Sequence, residues 1–341
     1  MKTWDAIIIG GGIIGLSLSL ALRKHGLHVL VVERGEPGRE ASHAAAGMLA
    51  DCMDETPVTL QALATTSARM YPEFVDELRD ASGINPDLRD QGTIVLGEQQ
   101  NKSPIDVFQR ESSLVTNGLT ACYLPERSVD PRGLCAATLQ AAKHRGVDIA
   151  SGTEVTNVLI DGKKLAGVAT TRTEYVAPVV INCAGAWAGQ ISTRHFPARP
   201  VKGQMLSVAA HNILQHVVRS PEVYLVPRSD GRILIGATVE EAGFDKRTVP
   251  ETIRRLHDAA VRLVPRLADA RILEDWAGLR PGTPDDLPIL GATETPGYFV
   301  AIGHFRNGIL LAPVTAEAMA QVITGSNCSY DLSAFSPSRF S

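Results

Sequence analysis

Cysteine is scarce: the 341 residues hold five, Cys52, Cys122, Cys135, Cys183 and Cys328. They are odd in number, scattered and without a C-x-x-C pair. That argues against a disulfide framework and a zinc site, and leaves reduced thiols in a cytoplasm as the expectation. Basic excess is lacking too. Lys and Arg number 33 against 37 Asp and Glu, a formal net charge of −4, so the footprint of a nucleic-acid binder is missing. A membrane span is not expected either. The nearly uncharged stretch from Ala6 to Leu22 imitates one, but it follows Asp5, contains four glycines and runs into Arg23-Lys24-His25-Gly26. It also falls short of the roughly 20 residues that a bilayer crossing needs. Repeats and low-complexity segments are absent. What remains is an ordinary balance of 44% hydrophobic and 21% charged residues, in a length that suits one large or two ordinary domains.

The first 35 residues are the most informative. Trp4-Asp5-Ala6-Ile7-Ile8-Ile9 reads as a strand buried on both faces. Gly10-Gly11-Gly12-Ile13-Ile14-Gly15 fits G-x-G-x-x-G and opens a helix to about Lys24, closed by Gly26. A second buried strand, Val29 to Val32, ends at Glu33 and Arg34. This order of strand, glycine turn, helix, strand and acid is the context that makes the fingerprint credible. Gly10 permits the tight turn, Gly12 admits a pyrophosphate, and Gly15 lets helix and strand pack closely. The diphosphate then meets unpaired N–H groups and the positive end of the helix dipole. Glu33 can accept from both adenosine ribose hydroxyls and disfavours a 2′-phosphate. These residues leave FAD and NAD both open.

Further along, Thr56-Pro57, Ser103-Pro104 and Asp130-Pro131 look like openings of helices. A meander of strands is expected near 153–160, 165–171 and 179–183, then longer strands at 201–208, 222–227 and 233–239. An amphipathic helix near 251–263 precedes a strand at 271–278, and a last strand, 298–302, feeds a helix to about Ile323. Gln99-Gln100-Asn101-Lys102 reads as a polar loop, and the segment from Ser326 to Ser341 as a partly ordered tail. The expected fold class is α/β, with a discontinuous Rossmann-like nucleotide domain (1–84, 130–197 and 277–341). A second α+β substrate domain (85–129 and 198–276) is expected on a mostly antiparallel sheet.

Four stretches carry a family resemblance. They are the run from Gly38 to Leu49, Asn182-Cys183-Ala184-Gly185-Ala186-Trp187-Ala188, the run from Trp276 to Asp285, and the run from Gly303 to Pro313. Together they resemble the D-amino-acid oxidase superfamily of flavoenzymes, and within it the glycine oxidase branch of the thiamine pathway. The resemblance spans Met1 to about Gly325 and decides FAD over NAD. It implies that Ser42, Ala45, Ala46, Gly47 and Met48 wrap the cofactor, with Val155, Ala184, Gly185 and Trp187 also touching it. Some relatives attach flavin through a histidine one position nearer the glycine than His43, where this chain has Ala44. Non-covalent FAD is therefore expected.

The reaction implied is oxidation of a carbon–nitrogen bond, with the α-hydrogen leaving as hydride toward flavin N5 while the nitrogen lone pair forms an imine. The protein must then hold a carboxylate, align the Cα–H bond and stabilise the reduced flavin. Arg280 offers a planar fork for the carboxylate, although a lone arginine is more often a surface ion pair. Tyr224 matches a family tyrosine that touches the same carboxylate. Glu222, expected on the face of Tyr224, departs from relatives that place histidine there, and a solvent-facing acid is the plain alternative. Val239 stands where some relatives place methionine, and Met48 completes the expected substrate pocket. Arg306, Asn307, Gly308, Ile309 and Leu310 are expected to bring a helix N-terminus to the flavin. His304 has no visible partner and is read as structural. Glycine is the first expected substrate, oxygen the expected acceptor, and a thiazole synthase a candidate partner. A D-amino acid or N-methyl amino acid oxidase or dehydrogenase stays open as the alternative. So do a non-catalytic flavin-binding protein and a homo-oligomer.

Overall fold

The structure is a computed structural model, and it describes residues 3–52, 56–97, 103, 105–162, 164–191 and 196–340. Two large sheets organise it. The first has six strands in the order 289–292, 298–302, 179–182, 6–9, 29–32, 148–150. All its pairings are parallel except that of Ile289–Ala292 with Tyr298–Ile302. Ala6–Ile9 and Val29–Val32 are buried at every residue, because helices cover one face and a small sheet covers the other. The second sheet has seven strands in the order 272–282, 199–209, 232–236, 224–227, 217–219, 93–96, 121–124. It is antiparallel apart from one pair. The amphipathic helix Pro250–Leu263 seals one of its faces with Ile253, Leu256, Ala260 and Leu263.

The chain visits the first sheet, leaves and returns several times, as α/β with a second, mostly antiparallel layer requires. The expected division at residue 276 falls inside the strand Ile272–Gly282, which continues unbroken in the second sheet.

Several local expectations need correction. Strands 155–161 and 164–170 pair as foreseen, but their third partner is Glu174–Val176. Val179–Asn182 instead enters the parallel sheet beside Ala6–Ile9. Ser103-Pro104 opens no helix among the described residues: residues 105–120 form turns. Pro104 itself and the polar loop 99–102 lie outside the described residues. The tail is not loose. It makes two short turns, buries Phe335, and clamps Arg339 onto Asp285 at 2.9 Å.

The last long helix, Gly308–Thr324, contains Pro313, which cannot donate to the carbonyl of Ile309. Two side chains of the long helix Val58–Ser82 repair the gap. The Tyr71 hydroxyl donates to the Ile309 carbonyl, and Ser67 Oγ donates to the Leu310 carbonyl at 2.6 Å while accepting from the Val314 N–H at 3.3 Å. Tyr71 is fully buried, so Tyr71→Phe strands a buried acceptor. It is expected to lower the unfolding free energy by about 1–3 kcal/mol. Urea unfolding of the two proteins measures this, and identical midpoints would contradict the repair.

Candidate active site

Between the two sheets lies a cavity of about 1250 Å³, above the usual range of about 300–1,000 Å³ for small-molecule sites. Its first wall is the glycine turn. Gly10 sits at φ +105°, and a Cβ there would stand 2.5 Å from the Cys183 carbonyl oxygen. A Cβ on Gly15 would stand 2.1 Å from the Gly10 oxygen. Gly15 therefore packs helix on strand and does not line the cavity. Gly12 differs: a Cβ there would meet only Ser42 Oγ, at 3.4 Å. The space above Gly12 is open, at the N-terminus of the helix Ile13–Lys24. Ser42 Oγ accepts from the Ile13 N–H at 3.0 Å. The Glu33 carboxylate lines the cavity and is fixed by the N–H groups of Gly11 (2.8 Å) and Gly35 (2.9 Å). Arg34 stacks on the Trp187 ring at 3.6 Å and pairs with Glu40 at 2.9 Å.

The stretch 44–49 threads between the sheets. Gly47, at φ +78°, has the Val129 oxygen 1.9 Å from where a Cβ would stand. The buried Arg228 donates to the Ala46 carbonyl, and Trp276 Nε1 donates to the Ala44 carbonyl at 3.1 Å. The His43 ring meets Arg39 at 3.0 Å and does not line the cavity. Ile13, Ile14, Ala45, Ala46, Gly47, Met48, Val155, Ala184, Gly185 and Trp187 all line it, as do Asn307, Gly308 and Ile309. Leu310 does not; it is buried in the core behind. The glycine cradle, the acid at the end of the second strand and the two helix N-termini fit an adenine dinucleotide carrying a flavin.

The opposite wall is one face of the second sheet. Tyr224 stands opposite Gly236, Gly236 opposite Met205, and Met205 opposite Trp276. Two residues further along, Gly203 faces Gly278, and beyond them Val201 faces Arg280. Side chains of this set point the same way because the period of a strand is two. The glycines make room. A Cβ on Gly203 would stand 2.3 Å from Arg280 Nη1, and one on Gly236 would stand 2.8 Å from the Tyr224 hydroxyl. Arg280 thus lies flat on its neighbouring strand, donating to the carbonyls of Thr238 (3.1 Å) and Lys202 (3.4 Å).

Burial pulls Arg280 below its ordinary pKa, while the Tyr224 phenol beside it pulls it back up. Burial raises Tyr224, and Arg280 and Arg306 oppose that rise. The pair is therefore a charged guanidinium beside a neutral phenol. Arg306 lines the same cavity from the turn before the last helix, whose N-terminus adds positive potential. His304 also borders the cavity, but burial pushes it down to about 3 and its Nε2 meets Thr315 Oγ1 at 3.1 Å. It is uncharged at neutral pH and structural.

Glu222 needs correction. It precedes the strand Tyr224–Pro227 and its carboxylate pairs with Arg262 at the surface, so it shares no face with Tyr224. Only the rim of the cavity is its own. Val239 lines the wall but is 52% exposed. Gly203, Gly236 and Trp276 were not foreseen as parts of the site. Glycines inside strand patterns do mark close approach, and that signal was present in the sequence.

The FAD-dependent oxidoreductase family, DAO, matches residues 5–322 of the chain. The chain belongs to the DAO family of FAD-dependent oxidoreductases. The bifunctional protein ThiO/ThiG of Trichormus variabilis is 36% identical over 99% of the chain, which spans about half (55%) of that protein's length. The glycine oxidase of Pseudomonas aeruginosa is 34% identical, covering 97% of the chain and 98% of the enzyme. The crystal structure of glycine oxidase from Geobacillus kaustophilus superposes with a TM-score of 0.94 at 33% identity, covering 98% of both chains. The chain is thus an FAD-dependent oxidoreductase by family, with the α/β fold of that family. No helix among the described residues is long and apolar enough to cross a membrane.

Gly12 gives the sharpest test of the cofactor wall. Gly12→Val leaves the packed side of the turn alone and fills the open side. The variant is expected to keep wild-type circular dichroism but to purify with less than about a tenth of its flavin. Absorbance near the visible flavin maximum, relative to protein, decides this; a fully yellow variant would contradict the placement.

Proposed function

We propose that this DAO-family enzyme oxidises glycine: glycine, O2 and water become glyoxylate, ammonia and hydrogen peroxide. The observation that carries the reading is the half-buried Arg280–Tyr224 pair on a glycine-cleared sheet face, in the cavity that the dinucleotide turn opens into. A charged fork without a carboxylate partner among the described residues calls for a carboxylate ligand, and charge-assisted bidentate bonds suit that group. Arg280 holds one carboxylate face, and the Tyr224 hydroxyl donates to it from the neighbouring strand. Together they set the amine and Cα against the flavin ring.

Glu33, the turn at Gly10–Gly12 and the stretch 44–49 hold FAD, bound non-covalently, which supplies the two-electron acceptor for the Cα hydride. Arg306 and the N-terminus of the helix Gly308–Thr324 line the same cavity, and their positive potential would favour a bound flavin in its reduced, anionic form. The amine binds neutral, so no protein base is required, which agrees with an uncharged, buried His304. The likeness to glycine oxidases over the full chain supports glycine as substrate. The relation to bifunctional ThiO/ThiG proteins supports a thiazole-forming partner that takes the imine before it hydrolyses. An odd number of scattered cysteines without a C-x-x-C pair suits the cytoplasm, where we place the enzyme.

Anaerobic addition of glycine to the purified yellow protein is expected to bleach the flavin, and air to restore it with formation of peroxide. Arg280→Ala is expected to keep its flavin and lose about 1.5–3 kcal/mol of substrate binding, roughly a 10- to 150-fold rise in the glycine concentration needed. Bleaching by sarcosine or D-alanine but not by glycine would move the substrate to an N-methyl or D-amino acid. A flavin that no small amine reduces would overturn the enzyme reading.

A further inference from the structure

One loop joins the two walls of the cavity. It runs from Glu240 to Val249, and both its feet are fixed on Gln204, a fully buried residue of the strand Arg199–Ala209. Gln204 Nε2 donates to Glu240 Oε1 at 2.8 Å, and Gln204 Oε1 accepts from the Val249 N–H at 2.7 Å. Glu240 also exchanges two backbone hydrogen bonds, each 2.9 Å, with Lys202. A loop whose ends meet in this way is a compact surface unit, a form that often carries function.

The tip leaves the second sheet and lands on the nucleotide wall. The Phe244 ring lies 5.3 Å from the Trp187 ring, tilted by 34°. Lys246 Nζ pairs with Glu40 at 3.0 Å. Trp187 and Glu40 both line the cavity, and Arg34, which touches both, directly follows Glu33. Glu33 is the acid that suits an adenosine ribose, so the tip lands at that end of the cavity. Val239 and Glu241, beside the first foot, line the cavity as well.

The feet and the tip are held differently. The feet bond a buried side chain, whereas the tip holds by exposed groups: Phe244 is 41% exposed and the Lys246 side chain 46%. No residue from Glu240 to Val249 is buried, and none beyond the bridge at Glu240 lies in a helix or strand. An exposed ion pair contributes little and is screened by salt. A segment with so few buried contacts opens at low cost while the sheet beneath it stays folded.

We propose that residues 240–249 are a strap that closes the adenosine end of the cofactor cavity, and that the strap lifts off Trp187 and Glu40 whenever FAD enters or leaves. Closing segments of this kind gate many active sites by moving about fixed ends. The proposal rests on FAD as cofactor and is independent of the glycine reading.

Flavin release from the FAD-loaded enzyme tests it. The protein is diluted into flavin-free buffer, and free flavin in the filtrate is followed with time. Phe244→Ala with Lys246→Ala is expected to release flavin at least tenfold faster than wild type. Lys246→Arg, which keeps the ion pair, is expected to release it at the wild-type rate. A second variant, Glu40→Cys with Lys246→Cys, is joined by a short bis-maleimide after FAD is bound. Joining adds no contact to the cofactor and only prevents lifting, so release is expected to slow at least tenfold against the unjoined variant. If the alanine variant purifies without flavin, the joined protein decides. A joined protein that releases flavin at the unjoined rate overturns the proposal. So does an alanine variant that holds flavin as long as wild type.

Discussion

Partly burying the charge of Arg280, with no carboxylate paired to it among the described residues, is the arrangement on which this site depends. Two backbone carbonyls satisfy part of the guanidinium, yet a desolvated cation with neutral acceptors alone stays costly. The neighbouring strands make it possible. Gly203 lets the planar fork lie against the backbone, and Gly236 seats the Tyr224 ring beside it. The cost is recovered when a carboxylate arrives, because the same low-dielectric surroundings strengthen its attraction to the fork. A site built this way binds its ligand through a debt already present in the free protein, and orientation follows because the fork cannot rotate.

The cofactor side obeys a different constraint, close backbone approach. Gly10, Gly12 and Gly47 each occupy a place where a side chain would meet backbone or fill the groove. The helix N-termini at Ile13 and Gly308 point into the same cavity. Pro313 sits in the first turns of the second of these helices, and the fold compensates with Tyr71 and Ser67 from a helix more than 200 residues away in sequence. The two sheets thus meet at one cavity with distinct chemistry on each wall: backbone donors on one, a guanidinium–phenol pair on the other.

Much of this was legible in the sequence for identifiable reasons. The glycine fingerprint, Glu33, and the strand–helix pair at 298–324 carry short-range signals that need no tertiary context. Arg280 and Tyr224 are silent by residue type and became readable through the family resemblance. Glu222 misled because an apolar run was extended one turn too far. The Ser220 hydroxyl bonds Val223 at both ends of a Ser-Pro turn, so the strand begins only at Tyr224. The order of the C-terminal tail depends on Arg339 reaching Asp285, 54 residues earlier, and no local pattern announces it.

The claim that Arg280, held flat on Gly203, is the carboxylate anchor is tested most directly by adding one methyl group. In Gly203→Ala the new Cβ would need the space of Arg280 Nη1, on the wall remote from the dinucleotide turn. Acetate titrated into the flavin spectrum of both proteins reports carboxylate affinity without turnover. The account predicts full flavin content and a dissociation constant at least tenfold weaker, about 1.4 kcal/mol. Unchanged acetate affinity in a flavin-loaded variant would contradict it.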